Sequence, residues 1–125
     1  MIIGYDVSHK ADVSMVGFCA SINAKMTQYF SDYFETTAML EVVDNIHLRI
    51  QEAITQFKKQ NKGNRPKTMI VFRDGVGESY FDTIMEGEIR KILKTFSDID
   101  ICFLTINKRT HQRFFYREGK QIHNA

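Results

Sequence analysis

A chain of 125 residues with 43% hydrophobic residues and ten Phe is expected to form one globular domain with its own core. No apolar run approaches the ~20 residues of a membrane span, and Met1 leads straight into a strand, so neither a membrane anchor nor a signal peptide is expected. The net charge of +2 excludes little, and with two cysteines, Cys19 and Cys102, both in apolar runs, nothing suggests a disulfide framework or a zinc site. They predict buried free thiols in a reducing compartment, cytoplasmic or nuclear.

Residues 2 to 7 form the first predicted strand, a short apolar run that ends at Asp6. His9-Lys10-Ala11-Asp12 is a polar turn, and Val13 to Ile22 is a second strand. After a tight connection at Asn23-Ala24-Lys25, Met26 to Thr37 is a third, with Tyr29, Phe30, Tyr33 and Phe34. The short connections suit an antiparallel meander. Leu40, Val43, Ile46, His47, Ile50, Ala53, Ile54 and Phe57 then recur at helical spacing and predict one helix of about five turns. Lys58, Lys59, Lys62 and Gly63 are stop signals, and Pro66 lies in the loop that follows.

Thr68 to Arg73 is the fourth strand, broken by Asp74-Gly75. A second helix is expected from near Ser79, burying Phe81, Ile84, Met85, Ile89, Ile92, Leu93 and Phe96. Ile101 to Ile106, apolar throughout, is expected as a buried fifth strand. Phe114-Phe115-Tyr116 is a candidate for one more short strand, and the end from Gly119 is expected to be loose.

The order β-β-β-α-β-α-β with right-handed crossovers gives a mixed α/β sheet of strand order 3-2-1-4-5, the ribonuclease H-like plan with two crossover helices. Strands one and four are then parallel neighbours, so Asp6 and Asp74 meet at one edge of the sheet. Open α/β sheets build their sites at such strand ends. Two carboxylates brought together bind Mg²⁺ or Mn²⁺ well and repel each other without it. Taken singly, each Asp is equally at home as a turn residue or a helix cap.

Charge is unevenly spread. Residues 58 to 73 hold Lys58, Lys59, Lys62, Arg65, Lys67 and Arg73 with no acid, and the stretch from 107 onward is basic too. Such blocks are solvated surface or the footprint of a phosphate-binding protein. No Gly-rich phosphate loop follows the first strand, which disfavours a plain nucleotide-binding domain.

Four blocks carry a family resemblance: Gly4-Tyr5-Asp6-Val7-Ser8-His9, Ser21-Ile22-Asn23, Phe72-Arg73-Asp74-Gly75-Val76-Gly77-Glu78 and Asn107-Lys108-Arg109-Thr110-His111-Gln112-Arg113-Phe114-Phe115. Together, in this order, the chain resembles the first part of the Piwi domain of Argonaute and Piwi proteins over nearly all of residues 1–125. The resemblance implies a nuclease that holds a small guide RNA and cuts a complementary target RNA, in RNA-mediated gene silencing. It implies an acidic tetrad in which Asp6 and Asp74 match the two Asp and serve as metal ligands. Glu41 matches the glutamate, or is simply a first-turn acid favoured by the helix dipole. Two-metal phosphodiester hydrolysis would be the chemistry. Lys108, Arg109, His111 and Arg113 would contact RNA phosphates with little sequence preference.

The fourth tetrad residue belongs to a later part of that domain, which this chain does not contain. Three functions therefore stay open: a guided endoribonuclease, an RNA-binding module that does not cut, and a scaffold for protein partners. The remaining Argonaute domains or other silencing proteins are the expected protein partners. A piece of a domain is also expected to expose apolar surface on its sheet or helices.

Overall fold

The computed structural model describes residues 1–10, 12–36, 42–108, 115–119 and 121–124. A five-stranded sheet organises them. Its strands are β1 (Ile2–Lys10), β2 (Val13–Ser21), β3 (Tyr29–Thr36), β4 (Thr68–Asp74) and β5 (Asp100–Ile106). The spatial order is β3-β2-β1-β4-β5, as the sequence predicts. β1–β2 and β2–β3 are antiparallel, while β1–β4 and β4–β5 are parallel.

Alternation along the strands splits the sheet into two faces. Ile3 and Tyr5 of β1, Val16, Phe18 and Ala20 of β2, and Met69, Val71 and Arg73 of β4 are buried on one face. α1 (Ile46–Gln60) covers it with Ile46, Ile50, Ala53 and Ile54. Ile92 and Phe96 of the second helical segment join the same core. The opposite face carries Gly4, Gly17, Cys19, Phe72 and Ile106 along an open groove. Gly4, Cys19, Phe72 and Ile106 are half-buried along it. Among the described residues, no helix is long and apolar enough to cross a membrane.

Several expectations are corrected. β1 runs past Asp6 to Lys10, because β2 continues to pair with it after β4 has ended. α1 starts at Ile46, so the predicted five-turn helix is shorter, and its first turn holds no acid. Val43 is buried as predicted but precedes the helix. Its N–H donates to the Glu88 carboxylate at 2.7 Å, a side-chain partner in place of a helical carbonyl. At the other end, Gly63 at φ +82° closes the helix by donating its N–H to the Lys58 carbonyl at 2.8 Å.

The second helix is segmented. A 3₁₀ turn at Glu78–Tyr80 leads into α2 (Phe81–Ile84), a π turn at Met85–Ile89, and α3 (Arg90–Thr95). The wider π turn rotates the side chains around it. Phe81 and Leu93, predicted to be buried, are 45% and 46% exposed, and Glu88 is fully buried instead. β5 is an edge strand with one open face: Leu104 is 40% exposed and Cys102 is exposed. Cys19 is half-buried, so neither thiol is the buried one predicted. The expected loose end contains a second antiparallel pair, β6 (Phe115–Glu118) with β7 (Gln121–Asn124), turning at Gly119 with φ +61°.

Candidate functional site

The β1–β4 pairing ends at Tyr5 opposite Arg73. The next residues, Asp6 and Asp74, therefore stand side by side on adjacent parallel strands, about 4.8 Å being the usual strand spacing. Tyr5 and Arg73 face the core, so the alternation turns both carboxylates to the opposite side. The expected meeting of the two Asp is present, although β1 itself does not stop there.

Gly75 makes the meeting possible. At φ +81° it turns the chain away sharply, and a Cβ there would lie 3.3 Å from Asp6 Oδ1. Its N–H donates to the Ile106 carbonyl at 3.1 Å, which ties the turn to β5. A cleft of about 490 Å³ opens at this edge, lined by Asp6, Asp74, Gly75, Val76, Gly77, Asn107 and Lys108.

Asp6 is exposed, whereas the Asp74 side chain is 24% exposed. The Lys108 ammonium is ion-paired with Asp74 Oδ2. This hydrogen bond and the Asp74 charge hold the Lys108 ammonium above its ordinary pKa range, and the Asp6 charge adds to the effect. Asp74 Oδ1 is buried without a hydrogen-bond partner among the described residues. An orphaned carboxylate oxygen beside a second carboxylate suits a hard divalent cation such as Mg²⁺ or Mn²⁺. No third His, Cys, Asp or Glu joins them in metal-binding range among the described residues.

Of the other predicted site residues, Glu41, Arg109, His111 and Arg113 lie outside the described residues. Lys108 faces the cleft, but through an acidic partner. Arg73, counted in the basic block, is fully buried and not part of that surface. Arg65 of the same block is paired with Asp98 at 3.2 Å.

Behind the carboxylates lies a polar cluster that the sequence reading missed. Glu88 and Arg73 are both fully buried, with Arg73 Nε 3.5 Å from Glu88 Oε2. The Tyr5 hydroxyl donates to Glu88 Oε2, and the Val43 N–H donates to Oε1. Arg73 Nη1 donates to the Asp74 carbonyl at 2.6 Å, and its guanidinium lies 5.3 Å from the Tyr5 ring centre. Burial pushes the Tyr5 hydroxyl well above its ordinary range, with the Glu88 charge adding to it and Arg73 opposing. Burial likewise raises Glu88, against the pull of Tyr5, Arg73 and the Val43 N–H. One signal was available: Glu88 falls between Ile84 and Ile92 at steps of four, on the buried stripe itself.

The comparisons with known proteins agree with this architecture. A family model for the Piwi domain matches residues 1–125. Piwi-like protein 1 of Gallus gallus is 32% identical over 99% of this chain, and Piwi-like protein 3 of Homo sapiens is 30% identical over 99%. The chain spans 15% of the length of each of these relatives. The C-terminal lobe of a budding yeast Argonaute superposes with a TM-score of 0.84 at 24% identity, covering 94% of this chain and 26% of that one. Kluyveromyces polysporus Argonaute with a guide RNA gives 0.84 at 24% identity, covering 94% and 16%. Marinitoga piezophila Argonaute, in complex with 5′ OH guide RNA and target DNA, gives 0.63 at 12% identity, covering 98% and 21%. The fold is thus the ribonuclease H-like one, and the chain belongs to the Piwi domain family.

Proposed function

We propose that this chain contributes the metal-binding, target-facing edge of an RNA-guided silencing protein. The observation that carries the reading is the pair Asp6 and Asp74, adjacent on β1 and β4, with Asp74 Oδ1 buried and unpaired among the described residues. These two side chains would hold Mg²⁺ or Mn²⁺. When bound, such an ion supplies charge stabilisation and an activated water for phosphodiester hydrolysis. The protein's own part is to hold the carboxylates in register, and Lys108 sits close enough to meet a phosphate oxygen at the cleft mouth. Guide and target RNA would be held through backbone and A-form shape, with base pairing supplying specificity. Glu41 would be a third acid of the site, and Arg109, His111 and Arg113 further phosphate contacts.

A second reading is a module that binds paired RNA without cutting it. It is favoured by the ion pair between Lys108 and Asp74, which already offsets the Asp74 charge. Anisotropy with a labelled guide–target RNA duplex, with and without Mn²⁺, tests the proposal. Binding that Mn²⁺ strengthens in the native chain, but not in Asp74→Asn, supports the metal-linked reading. Binding indifferent to Mn²⁺ supports the second. No binding to RNA in either condition overturns both.

A further inference from the structure

The buried cluster behind the carboxylates has a connectivity that core packing alone does not require. Glu88 touches three separate stretches of chain: Tyr5 on β1, Arg73 on β4, and Val43 before α1. Two of these contacts are one residue from a candidate metal ligand, since Tyr5 precedes Asp6 and Arg73 precedes Asp74. Arg73 also holds the Asp74 carbonyl directly. The third stretch is docked twice, because Val42 packs on Gly87 so closely that a Cβ there would lie 2.5 Å from Val42 Cγ1. Val42 and Val43 directly follow Glu41 in sequence.

A buried ion pair is a poor way to gain stability, because desolvation takes back much of the attraction. Its retention beside a site is better explained by what it orients. Glu88 lies within the π turn Met85–Ile89, and such turns recur at functional sites.

We propose that Glu88 is a positioning residue: from the π turn its carboxylate fixes Tyr5, Arg73 and Val43 together, and so sets Asp6 and Asp74 in register for a divalent cation. The inference rests on the metal reading given above. Groups that orient metal ligands from behind change affinity by about 10–100-fold when removed.

The test uses the full chain with Mn²⁺ as the probe, in two variants. Glu88→Gln keeps the shape but removes the charge. The double variant Arg73→Met with Glu88→Met removes both charges and keeps the core filled, and it leaves no buried charge unpaired, although the Tyr5 hydroxyl and the Val43 N–H lose their acceptor. Calorimetric titration is expected to show Mn²⁺ affinity lowered about ten-fold or more in the double variant, at a temperature where its melting curve shows it folded. Native Mn²⁺ affinity in a folded double variant would overturn the proposal.

Failure of the metal reading is seen separately, as a native chain whose Mn²⁺ heat is absent or survives Asp74→Asn. The positioning claim is then decided without metal, by amide exchange at the two ends of β4. The Gly75 N–H, bonded to Ile106, should exchange about ten-fold faster in the double variant, while the Ile70 N–H, bonded to the Met1 carbonyl, stays unchanged. Equal protection of Gly75 in both proteins would overturn it, and so would equal acceleration at Gly75 and Ile70, which marks a merely structural role.

Discussion

Arg73 and Asp74 are consecutive on β4 and face opposite sides of the sheet, yet they are bonded to each other: the buried guanidinium of Arg73 donates to the Asp74 carbonyl at 2.6 Å. The core and the cleft are thereby joined at one point of the backbone. Tyr5, which donates to Glu88 and directly precedes Asp6, makes a second such link on β1.

Losing one partner of the buried ion pair should cost more than losing both. Glu88→Leu takes the Glu88 carboxylate away from the buried Arg73 guanidinium, and a loss of about 3–5 kcal/mol is expected from urea unfolding. Arg73→Met with Glu88→Met should recover part of that loss, the remainder being the Tyr5 hydroxyl and the Val43 N–H left without their acceptor. A double variant as unstable as Glu88→Leu would mean that the damage lies in packing and not in charge.

Gly87 is required by contact rather than by backbone angle. Gly87→Ala places a methyl against Val42, and a cost of about 1–3 kcal/mol is expected. Val42→Ala should remove part of that penalty in a double-mutant cycle. Additive losses would show that the two residues do not meet as described.

Tyr5 sets an alkaline limit. Its folded-state pKa lies well above the ordinary value of 10.0, so its contribution to stability is full below pH 10 and is lost as the pH rises toward the folded value. Over that window stability should fall by about 1.4 kcal/mol per pH unit from this residue alone. Tyr5→Phe should flatten the slope, while costing about 1–3 kcal/mol at neutral pH through the donor lost to Glu88. Stability curves of equal alkaline slope in the two proteins would contradict the assignment.

Lys108 competes with any cation for Asp74. Lys108→Gln should tighten Mn²⁺ binding by a few-fold and leave the melting temperature without metal nearly unchanged, because the lysine is exposed. Weaker Mn²⁺ binding in this variant would show that the ammonium helps to organise the site instead of occupying it.

Much of the frame was legible because it depends on local pattern. Short connections between the first strands and long helical crossovers around β4 leave few topologies, and the observed order is the one they favour. Asp6 and Asp74 followed from that order alone. What was not legible depends on packing between distant stretches. Val43 has helical spacing to Ile46 and Ile50, but α1 starts only at Ile46, and the Val43 N–H is held by Glu88, a partner distant in sequence. Phe81 and Leu93 fit an ideal helix face, and the π turn between them moves that face. The apolar run of β5 signalled a strand correctly but not that one side would stay open, because a run does not record which neighbours cover it. Glu88 drew no reading from the sequence, because its partners Tyr5, Val43 and Arg73 are far away along the chain.

The central claim is that Asp6 and Asp74 share one cation. Calorimetric titration of Mn²⁺ into the native chain, Asp6→Asn and Asp74→Asn tests it most directly. The account predicts one saturable event in the native chain that either substitution weakens by at least about ten-fold. Binding that survives both substitutions, or no binding to the native chain, would contradict it.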